Sequence, residues 1–265
     1  MNSTHPLVQL RDQLASPEDS FGNPELYSRL SLVESEGLIH VDFYGDPFES
    51  AFSQLCEILC AENIAPTIAS LTLRCPDEGA NGTCNWNLTG LLEGGTPYSA
   101  LEMLSIQQNK PSDHNRIVVA ADFDEDGVLA KILRKAPMLD ALISPSAPDA
   151  SFFAQRHDRL RYLNVDAGYD TQDFISNLAN SNCFPSLRSL EFGEYNETYL
   201  DTFPQGCTPF DDYKRLFQST AFASVQNFTW RNPVCNVEEV SALRALRPAR
   251  DLQFKVIRTS SEYVE

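Results

Sequence analysis

The chain carries a short pattern of apolar positions that recurs along its length. In residues 187–192 the apolar side chains are Leu187, Leu190 and Phe192, which occupy the first, fourth and sixth positions. The same spacing, in closer or looser form, occurs in segments 38–43, 68–73, 101–106, 139–144, 160–165, 225–230 and 249–254. Because alternate side chains of a strand point to opposite faces, each segment predicts a short strand with one buried face.

Helices are predicted between these strands, because helix start signals precede apolar stripes. Asp46 is an N-cap candidate with Pro47 and Glu49 behind it, and the stripe that follows includes Phe48 and Phe52. Further helix starts or stripes are expected at Asn236 with Glu239, at Thr208 with Pro209, at 129–136 before Pro137, and after Asp170 or Thr171. The alternation of strand and helix at unequal intervals predicts a repeat protein in which neighbouring units share one core.

The first residues differ from the repeats. Prolines and polar residues suggest a loose start, residues 27–33 then alternate apolar and polar side chains, and residues 34–37 resemble a turn. A hairpin between 27–33 and 38–43 would cover the exposed edge of the first repeat. We therefore expect an N-terminal cap over residues 1–37 and about eight irregular repeats over 38–265, all within a single domain.

Segments 68–73, 160–165 and 187–192 resemble the strand motif of leucine-rich repeat proteins. The resemblance covers roughly residues 38–256, and the chain is similar to irregular cytoplasmic bacterial members, some of which resemble immunity proteins. Where the family motif has Asn or Cys after the third apolar position, this chain has Gly193 in one repeat. The resemblance implies an α/β solenoid, or horseshoe, with a parallel sheet on the concave face and helices on the convex face. It also implies recognition of another protein by the concave face or its rim.

Charge limits the kinds of partner. The net charge is −17, with a pI near 4.5. Nucleic acid and anionic membranes are therefore not expected as partners, because both are bound by Lys and Arg clusters. A basic protein is expected, because opposite fields accelerate encounter. The N-terminus does not resemble a signal peptide and no apolar run is long enough to span a membrane, so a cytoplasmic location is expected.

Cofactor and metal chemistry are not expected. The seven cysteines are an odd number at mostly wide spacings, which favours reduced core thiols over disulfides. Cys56 and Cys60 lie four residues apart on a predicted helix, but no second pair of ligands for zinc follows them.

An enzyme is not expected either. Residues 122–127 match the first half of a calcium-binding EF-hand loop, but Leu133 occupies the position that needs a bidentate Glu. This segment is interpreted as an acidic turn before a helix. The four histidines show no metalloprotease or thiol-protease spacing, and His157 beside Asp158 is interpreted as part of a surface loop.

The outward positions of the strands and the loops behind them are the candidate binding surface. These positions combine carboxylates, which attract and orient basic groups, with tyrosines, which provide contact area with a polar tip. The predicted partner-binding residues on the concave face and rim are Asp42, Tyr44, Asp46, Tyr162, Asp166, Tyr169, Asp170, Glu191, Glu194 and Tyr195.

The expected function is therefore non-enzymatic recognition of a protein. The more specific hypothesis is a bacterial immunity protein that neutralises a basic toxin by occlusion. One alternative is a scaffold or substrate adaptor in a larger complex, with residues 1–36 as its docking segment. A second alternative is a metal-dependent hydrolase that uses the aspartates of residues 122–126.

Overall fold

The computed structural model describes residues 5–15, 29–77, 82–119, 126–194, 203–248 and 250–259. Within these ranges the helices are α1 Pro6–Leu14, α2 Ser50–Leu59, α3 Val128–Lys135, α4 Phe174–Ala179, α5 Phe210–Gln218 and α6 Val237–Leu246. The strands are β1 Leu30–Ser35, β2 Leu38–Tyr44, β3 Ile68–Arg74, β4 Thr83–Asn85, β5 Met103–Ile106, β6 Arg116–Val118, β7 Ala141–Ser144, β8 Tyr162–Asp166, β9 Ser189–Gly193, β10 Asn227–Arg231 and β11 Gln253–Ile257.

Nine of the strands form one sheet in the order β1-β2-β3-β5-β7-β8-β9-β10-β11. The first pair, β1 and β2, is antiparallel, and every later pair is parallel. Strands β4 and β6 form a separate parallel pair. In the described residues, β1 and β11 are the two edges of the large sheet, so the sheet is not a closed barrel. The protein combines helices with a mostly parallel sheet and is therefore a mixed α/β protein.

The predicted strands are confirmed. Each of the eight apolar segments overlaps a strand of the large sheet, and these strands lie side by side in chain order. The first of these strands, β2, is also paired in an antiparallel hairpin, as predicted, but the other arm is Leu30–Ser35 and not 27–33, with Leu30 opposite Phe43 and Ser35 opposite Leu38. In the segment 187–192 the strand begins only at Ser189. Leu187 lies in the loop before the strand and is nevertheless fully buried.

The core lies on one side of the sheet, between the strands and the helices. Successive parallel strands stack the same positions, so that Phe192 of β9 lies beside Trp230 of β10. Helix α4 places Phe174 against Phe192 with the rings 5.3 Å apart, and helix α5 places Tyr213 against Trp230 at 4.0 Å. The buried apolar side chains of the strands and helices join into one continuous core.

The loose start predicted for the first residues is wrong for residues 5–15, which are the part of it that the structure describes. Helix α1 begins with Pro6 and is capped by His5, whose Nδ1 accepts from the amide of Leu7 at 3.3 Å. Leu7 and Leu10 are buried against the core, so a spacing of three residues gives this helix an apolar side.

The start of α2 also differs from the prediction. Asp46 caps a turn, with its Oδ1 accepting from the amide of Phe48 at 2.8 Å, and the helix itself begins at Ser50. Phe48 is therefore outside the helical stripe, and 72% of its surface is exposed.

His157 does not lie in a surface loop. It is buried, its Nδ1 accepts from the amide of Leu160 at 3.2 Å, and its Nε2 lies 3.1 Å from the carbonyl of Ala136. The first bond requires an unprotonated Nδ1, so Nε2 carries the proton and donates to Ala136. His157 therefore joins two turns of the backbone on the helix side of the molecule.

Candidate functional site

The large sheet has a second side that faces away from the core. We call it the open face and define it by the strand side chains that alternate with the buried ones. Most of them are half-buried by their neighbours on adjacent strands, four are exposed, and Ser70 and Asn164 are buried. The open face consists of His40, Asp42, Tyr44, Ser70, Thr72, Arg74, Met103, Ser105, Ala141, Ile143, Tyr162, Asn164, Asp166, Ser189, Glu191, Asn227, Thr229, Arg231, Gln253 and Lys255.

The first polar cluster lies on β2 and β3. Arg74 Nε donates to Asp42 Oδ1 at 2.9 Å, and the Arg74 guanidinium lies 5.3 Å from the centre of the Tyr44 ring. The parallel register explains this contact, because Asp42 pairs with Thr72 and Tyr44 pairs with Arg74, one row further along. Two predicted binding residues, Asp42 and Tyr44, are thus brought together by an arginine.

The second cluster is larger and centres on Arg231 of β10. Its Nη1 donates to Glu191 Oε2 at 2.9 Å, and its Nη2 donates to Asp166 Oδ1 at 2.8 Å and to Asn164 Oδ1 at 2.7 Å. Asp166 and Arg231 lie on strands separated by β9, in the row that contains Gly193. The structure therefore brings together two predicted residues, Asp166 and Glu191, around one cation.

Gly193 makes the contact between Asp166 and Arg231 possible. A Cβ atom built on Gly193 would overlap Asp166 Oδ1 and would lie 3.3 Å from Arg231 Nε. Because Gly193 carries no side chain, the carboxylate and the guanidinium meet across β9.

Tyr162 and two amides extend the cluster toward the middle of the sheet. Tyr162 donates its hydroxyl to Glu191 Oε1 at 2.8 Å and accepts from Asn164 Nδ2 at 3.2 Å, while Gln108 Nε2 donates to Asn164 Oδ1 at 3.1 Å. Burial and the hydrogen bond to Glu191 raise the pKa of Tyr162 to about 12. Its phenol therefore stays protonated and remains a donor near neutral pH. We call these residues the Arg231 network: Gln108, Tyr162, Asn164, Asp166, Glu191 and Arg231.

A groove of about 310 Å³ opens on this network at the carboxyl ends of the strands. Its walls include Gln108, Lys110, Asn164, Glu191 and Arg231. In open α/β sheets, ligands usually bind outside the carboxyl ends of the strands. The network supplies one arginine, two carboxylates, two amides and a phenol, which are groups for binding and not a nucleophile with its base.

The expected exposure of Glu194 is wrong. Its side chain is only 6% exposed, and it accepts hydrogen bonds from the Tyr213 hydroxyl and, at 3.2 Å, from the Thr208 amide. Burial raises the pKa of the Glu194 carboxyl above its ordinary value of 4.5, although both hydrogen bonds oppose this shift. The side chain points toward α5 and the core, because Glu194 follows Gly193 and therefore takes the opposite side of the strand end.

The other predicted rim residues lie apart from the network. Asp46 caps the turn before α2, and Asp170 is exposed and accepts from the amide of Gln172 at 2.7 Å. The Tyr169 hydroxyl bonds to the hydroxyl of Thr83, so it ties the loop after β8 to β4. Tyr195 lies outside the described residues, as do the aspartates at positions 122 and 124 of the acidic segment.

Arg74 and Arg231 lie on the open face but are not among the predicted partner-binding residues. The signal that could have found them is charge complementarity across the sheet, because each arginine lies within one or two strands of an outward carboxylate. These ion pairs change the expected charge of the open face. The carboxylates of Asp42, Asp166 and Glu191 are not free acidic groups but members of ion pairs.

No known protein family, curated protein or solved structure that was compared with the chain matches it. In the described part of the chain, no group of three or more His, Cys, Asp or Glu residues could hold a metal ion. Each helix within the described ranges is too short or too polar to cross a lipid bilayer.

Proposed function

We propose that this protein is a non-enzymatic protein-binding module of the leucine-rich repeat type. In this proposal the nine-stranded sheet is the inner, concave surface of a solenoid, and the helices form its convex side. The partner binds to the open face and to the loops at the carboxyl ends of the strands.

The strand order supports the solenoid. From β2 to β11 each new strand of the large sheet is added beside the previous one, always parallel and always in chain order. Each repeat then contacts mainly its two neighbours and shares its apolar side with them, which is how solenoids are built. The Arg231 network lies on the opposite side of the same strands.

The observation that carries the binding function is the fixed geometry of the Arg231 network. Its six side chains are held by hydrogen bonds that span β8, β9 and β10, and it is half-buried at the floor of an open groove. Side chains that are ordered before binding lose little conformational entropy when a partner arrives. A preorganised polar surface of this kind suits specific recognition of a protein.

The net charge of −17 favours a basic partner, as in an immunity protein that occludes a basic toxin. Because the carboxylates of Asp42, Asp166 and Glu191 are held in ion pairs, our proposal assigns this attraction to the rim and not to the centre of the open face. Asp46 and Asp170 lie in loops that follow β2 and β8, and within the described residues their carboxylates bond only to backbone amides. In this proposal, rim carboxylates accelerate encounter and the Arg231 network provides specificity.

The test adds one positive charge to each of two different surfaces of the protein and compares their binding. Ser105→Arg places a long cation in the middle of the open face, whereas Gln54→Arg places it on the exposed side of α2. The wild-type protein and both variants are each immobilised. Proteins that bind to each immobilised protein are then identified by mass spectrometry. The expected partner is basic, is captured by wild type and by Gln54→Arg, and is lost from Ser105→Arg.

The captured partner is then purified and its Kd is measured over a range of salt concentrations. We expect the affinity to fall with added salt, because rim charges are screened within about 8–10 Å at physiological ionic strength. Capture that is equal for wild type and Ser105→Arg, with both proteins folded by circular dichroism, would contradict binding at the open face. An acidic partner with salt-independent affinity would contradict the immunity-type mechanism.

A further inference from the structure

The large sheet ends in a strand that has a neighbour on one side only. Within the described residues, β11 pairs with β10 and with no other strand. The amide of Gln253 donates to the carbonyl of Gln226 at 2.7 Å, so the backbone of Gln253 faces the β10 side. Because successive residues of a strand direct their amide and carbonyl groups to opposite sides, those of Phe254 and Val256 point away from β10. Both residues are only half-buried, and their backbone groups form an open edge to which a further strand can add.

Positive charges surround this edge. Lys255 projects from β11 toward the open face and is exposed. On the helix side, the Arg244 guanidinium of α6 lies 5.6 Å from the centre of the Phe254 ring. Arg258 follows the strand and donates to two backbone carbonyls, at 2.7 and 2.6 Å, whereas Arg247 precedes the strand and donates to others at 3.2 Å. Backbone carbonyls are neutral, so these contacts hold the guanidinium groups in place without cancelling their charge.

This end of the sheet has the opposite charge to the whole chain. Residues 227–259 contain six Lys and Arg residues and three Asp and Glu residues, whereas the chain carries −17. Within the described residues, the ion pairs of this segment involve only Arg231 and Arg250. Residues 30–49, at the other end of the sheet, contain five acidic residues and no Lys or Arg. An acidic segment is therefore attracted to β11 and repelled by the opposite edge.

Apolar side chains are incompletely covered at the same end. Val237 and Leu246, at the two ends of α6, are exposed. Phe254 and Val256 pack against the core but remain only partly buried. A strand added beside β11 would place every second side chain next to Phe254 and Val256, and the side chains between them next to Lys255. The edge thus suits a segment in which apolar and acidic residues alternate.

We propose that β11 binds an extended acidic segment of another protein, which adds to the large sheet as a further strand. The site is separate from the one proposed on the open face and does not depend on it. Main-chain hydrogen bonds to Phe254 and Val256 supply affinity, and alternate side chains supply specificity. In antiparallel addition, the residues opposite Phe254 and Val256 are apolar and point to the helix side. The residues between them point to the open face and carry the carboxylates that meet Lys255.

The chemistry of the edge favours a polypeptide over another polyanion. A strand edge presents amide donors and carbonyl acceptors in alternation, and the backbone of another polypeptide matches this series. Nucleic acid is bound mainly through cations that contact its phosphates, and its backbone offers no such match. A nucleic acid is therefore the competitor that distinguishes a strand-binding edge from a surface that attracts any polyanion.

The test measures the fluorescence anisotropy of a labelled peptide in which Glu and Val alternate, mixed with the full-length protein. We expect saturable binding that weakens with added salt. A peptide with the same residues in two blocks, and one in which Lys replaces Glu, should bind at least about tenfold more weakly. N-methylation of the Val amides should abolish binding of an antiparallel strand, and N-methylation of the Glu amides should not, because only the Val amides face β11. For a parallel strand these two results are exchanged.

Lys255→Glu should weaken binding of the Glu and Val peptide by about tenfold or more, because the new carboxylate repels the peptide. Lys131→Glu is the matched control, because it makes the same change of charge at an exposed position of α3, and it should leave the Kd within about twofold. Circular dichroism checks that both variants fold. The proposal is overturned if both methylated peptides bind, or if neither does, because strand addition uses one edge of the peptide. It is equally overturned if the two variants weaken binding to the same extent, or if single-stranded oligothymidylate displaces the peptide.

Discussion

Gly193 determines how the open face carries its charge. Asp166 and Arg231 are separated by a whole strand, and they meet only because the residue between them has no side chain. Without this contact Asp166 would be an unpaired carboxylate near Glu191, on a protein that already carries a charge of −17. Gly193 has no side chain, and its absence allows the carboxylate of Asp166 to be neutralised by Arg231 in the candidate site.

Gly193→Ala is expected to break the ion pair between Asp166 and Arg231 and to lower the free energy of unfolding by about 1–3 kcal/mol. The new Cβ would overlap Asp166 Oδ1. Gly95→Ala is the control, because a Cβ there meets no atom within 4 Å. It measures the general effect of replacing glycine, which is about 0.4–1 kcal/mol of stabilisation. The measurement is urea unfolding of both variants. Equal stability of the two would show that the contact contributes nothing.

Glu194 gives a prediction about pH. Its folded-state pKa is raised by burial, so the folded state holds a proton that the unfolded chain releases. The unfolded state therefore binds fewer protons above pH 4.5, and the stability contributed by this group falls as pH rises through the folded pKa. Glu194→Gln cannot ionise and should not share this decline.

Urea midpoints of the wild type and Glu194→Gln, measured between about pH 4 and pH 8, test this sign. The variant should gain stability relative to wild type as the pH increases. A difference that stays constant, or changes in the other direction, would show that Glu194 is not held in its protonated form. Asp170→Asn, at an exposed carboxylate, controls for the loss of one charge.

At the scale of elements, α6 has the most complete start signal among the helices of the described residues. Asn236 Oδ1 accepts from the amide of Glu239 at 2.8 Å, and Glu239 Oε2 accepts from the amide of Asn236 at 2.9 Å. Asn236→Ala removes the cap and should lower the free energy of unfolding by about 1 kcal/mol. Ser241→Ala, whose hydroxyl donates within the same helix to Val237, should change it by less than about 0.5 kcal/mol. Equal losses in chemical denaturation would contradict the role of the cap.

The elements also show what could be predicted from sequence. The strands were found because their apolar positions repeat with a fixed spacing, and parallel neighbours bury the same positions. Helix α6 was predicted correctly because the two residues of its cap, Asn236 and Glu239, lie three residues apart in the sequence. Helix α1 was missed because its polar and proline-rich surroundings conceal two buried leucines, and its burial depends on α2 and β1, far along the chain.

The candidate site was less predictable than the fold. Alternation identifies which residues face outward, so Asp42, Asp166 and Glu191 were placed correctly on the open face. It does not identify which outward residues meet, because this depends on the register between strands that are distant in sequence. The burial of Glu194 depends in the same way on Tyr213 of α5, which no local pattern connects to the end of β9.

At the scale of the whole molecule, the strands form a one-dimensional series. In the large sheet, the strands β2, β3, β5, β7, β8, β9 and β10 each have a neighbour on both sides, whereas β11 has only β10 within the described residues. Its side chains Gln253 and Lys255 are exposed, and the α6 residue Val237 is 74% exposed. The C-terminal end of the series is therefore more exposed than its middle.

Hydrogen exchange followed by mass spectrometry should reveal this gradient. In a series where each unit is stabilised mainly by its neighbours, terminal units open without the others, so their amides exchange faster than the global rate of unfolding. We expect the slowest exchange in β7, β8 and β9 and the fastest in α6 and β11. Asn236→Ala should accelerate exchange in α6 and β11 and leave β8 unchanged, because that variant weakens only the end unit. Uniform exchange along the sheet, or an effect of Asn236→Ala that reaches β8, would mean that the molecule unfolds as one cooperative unit and would contradict the solenoid.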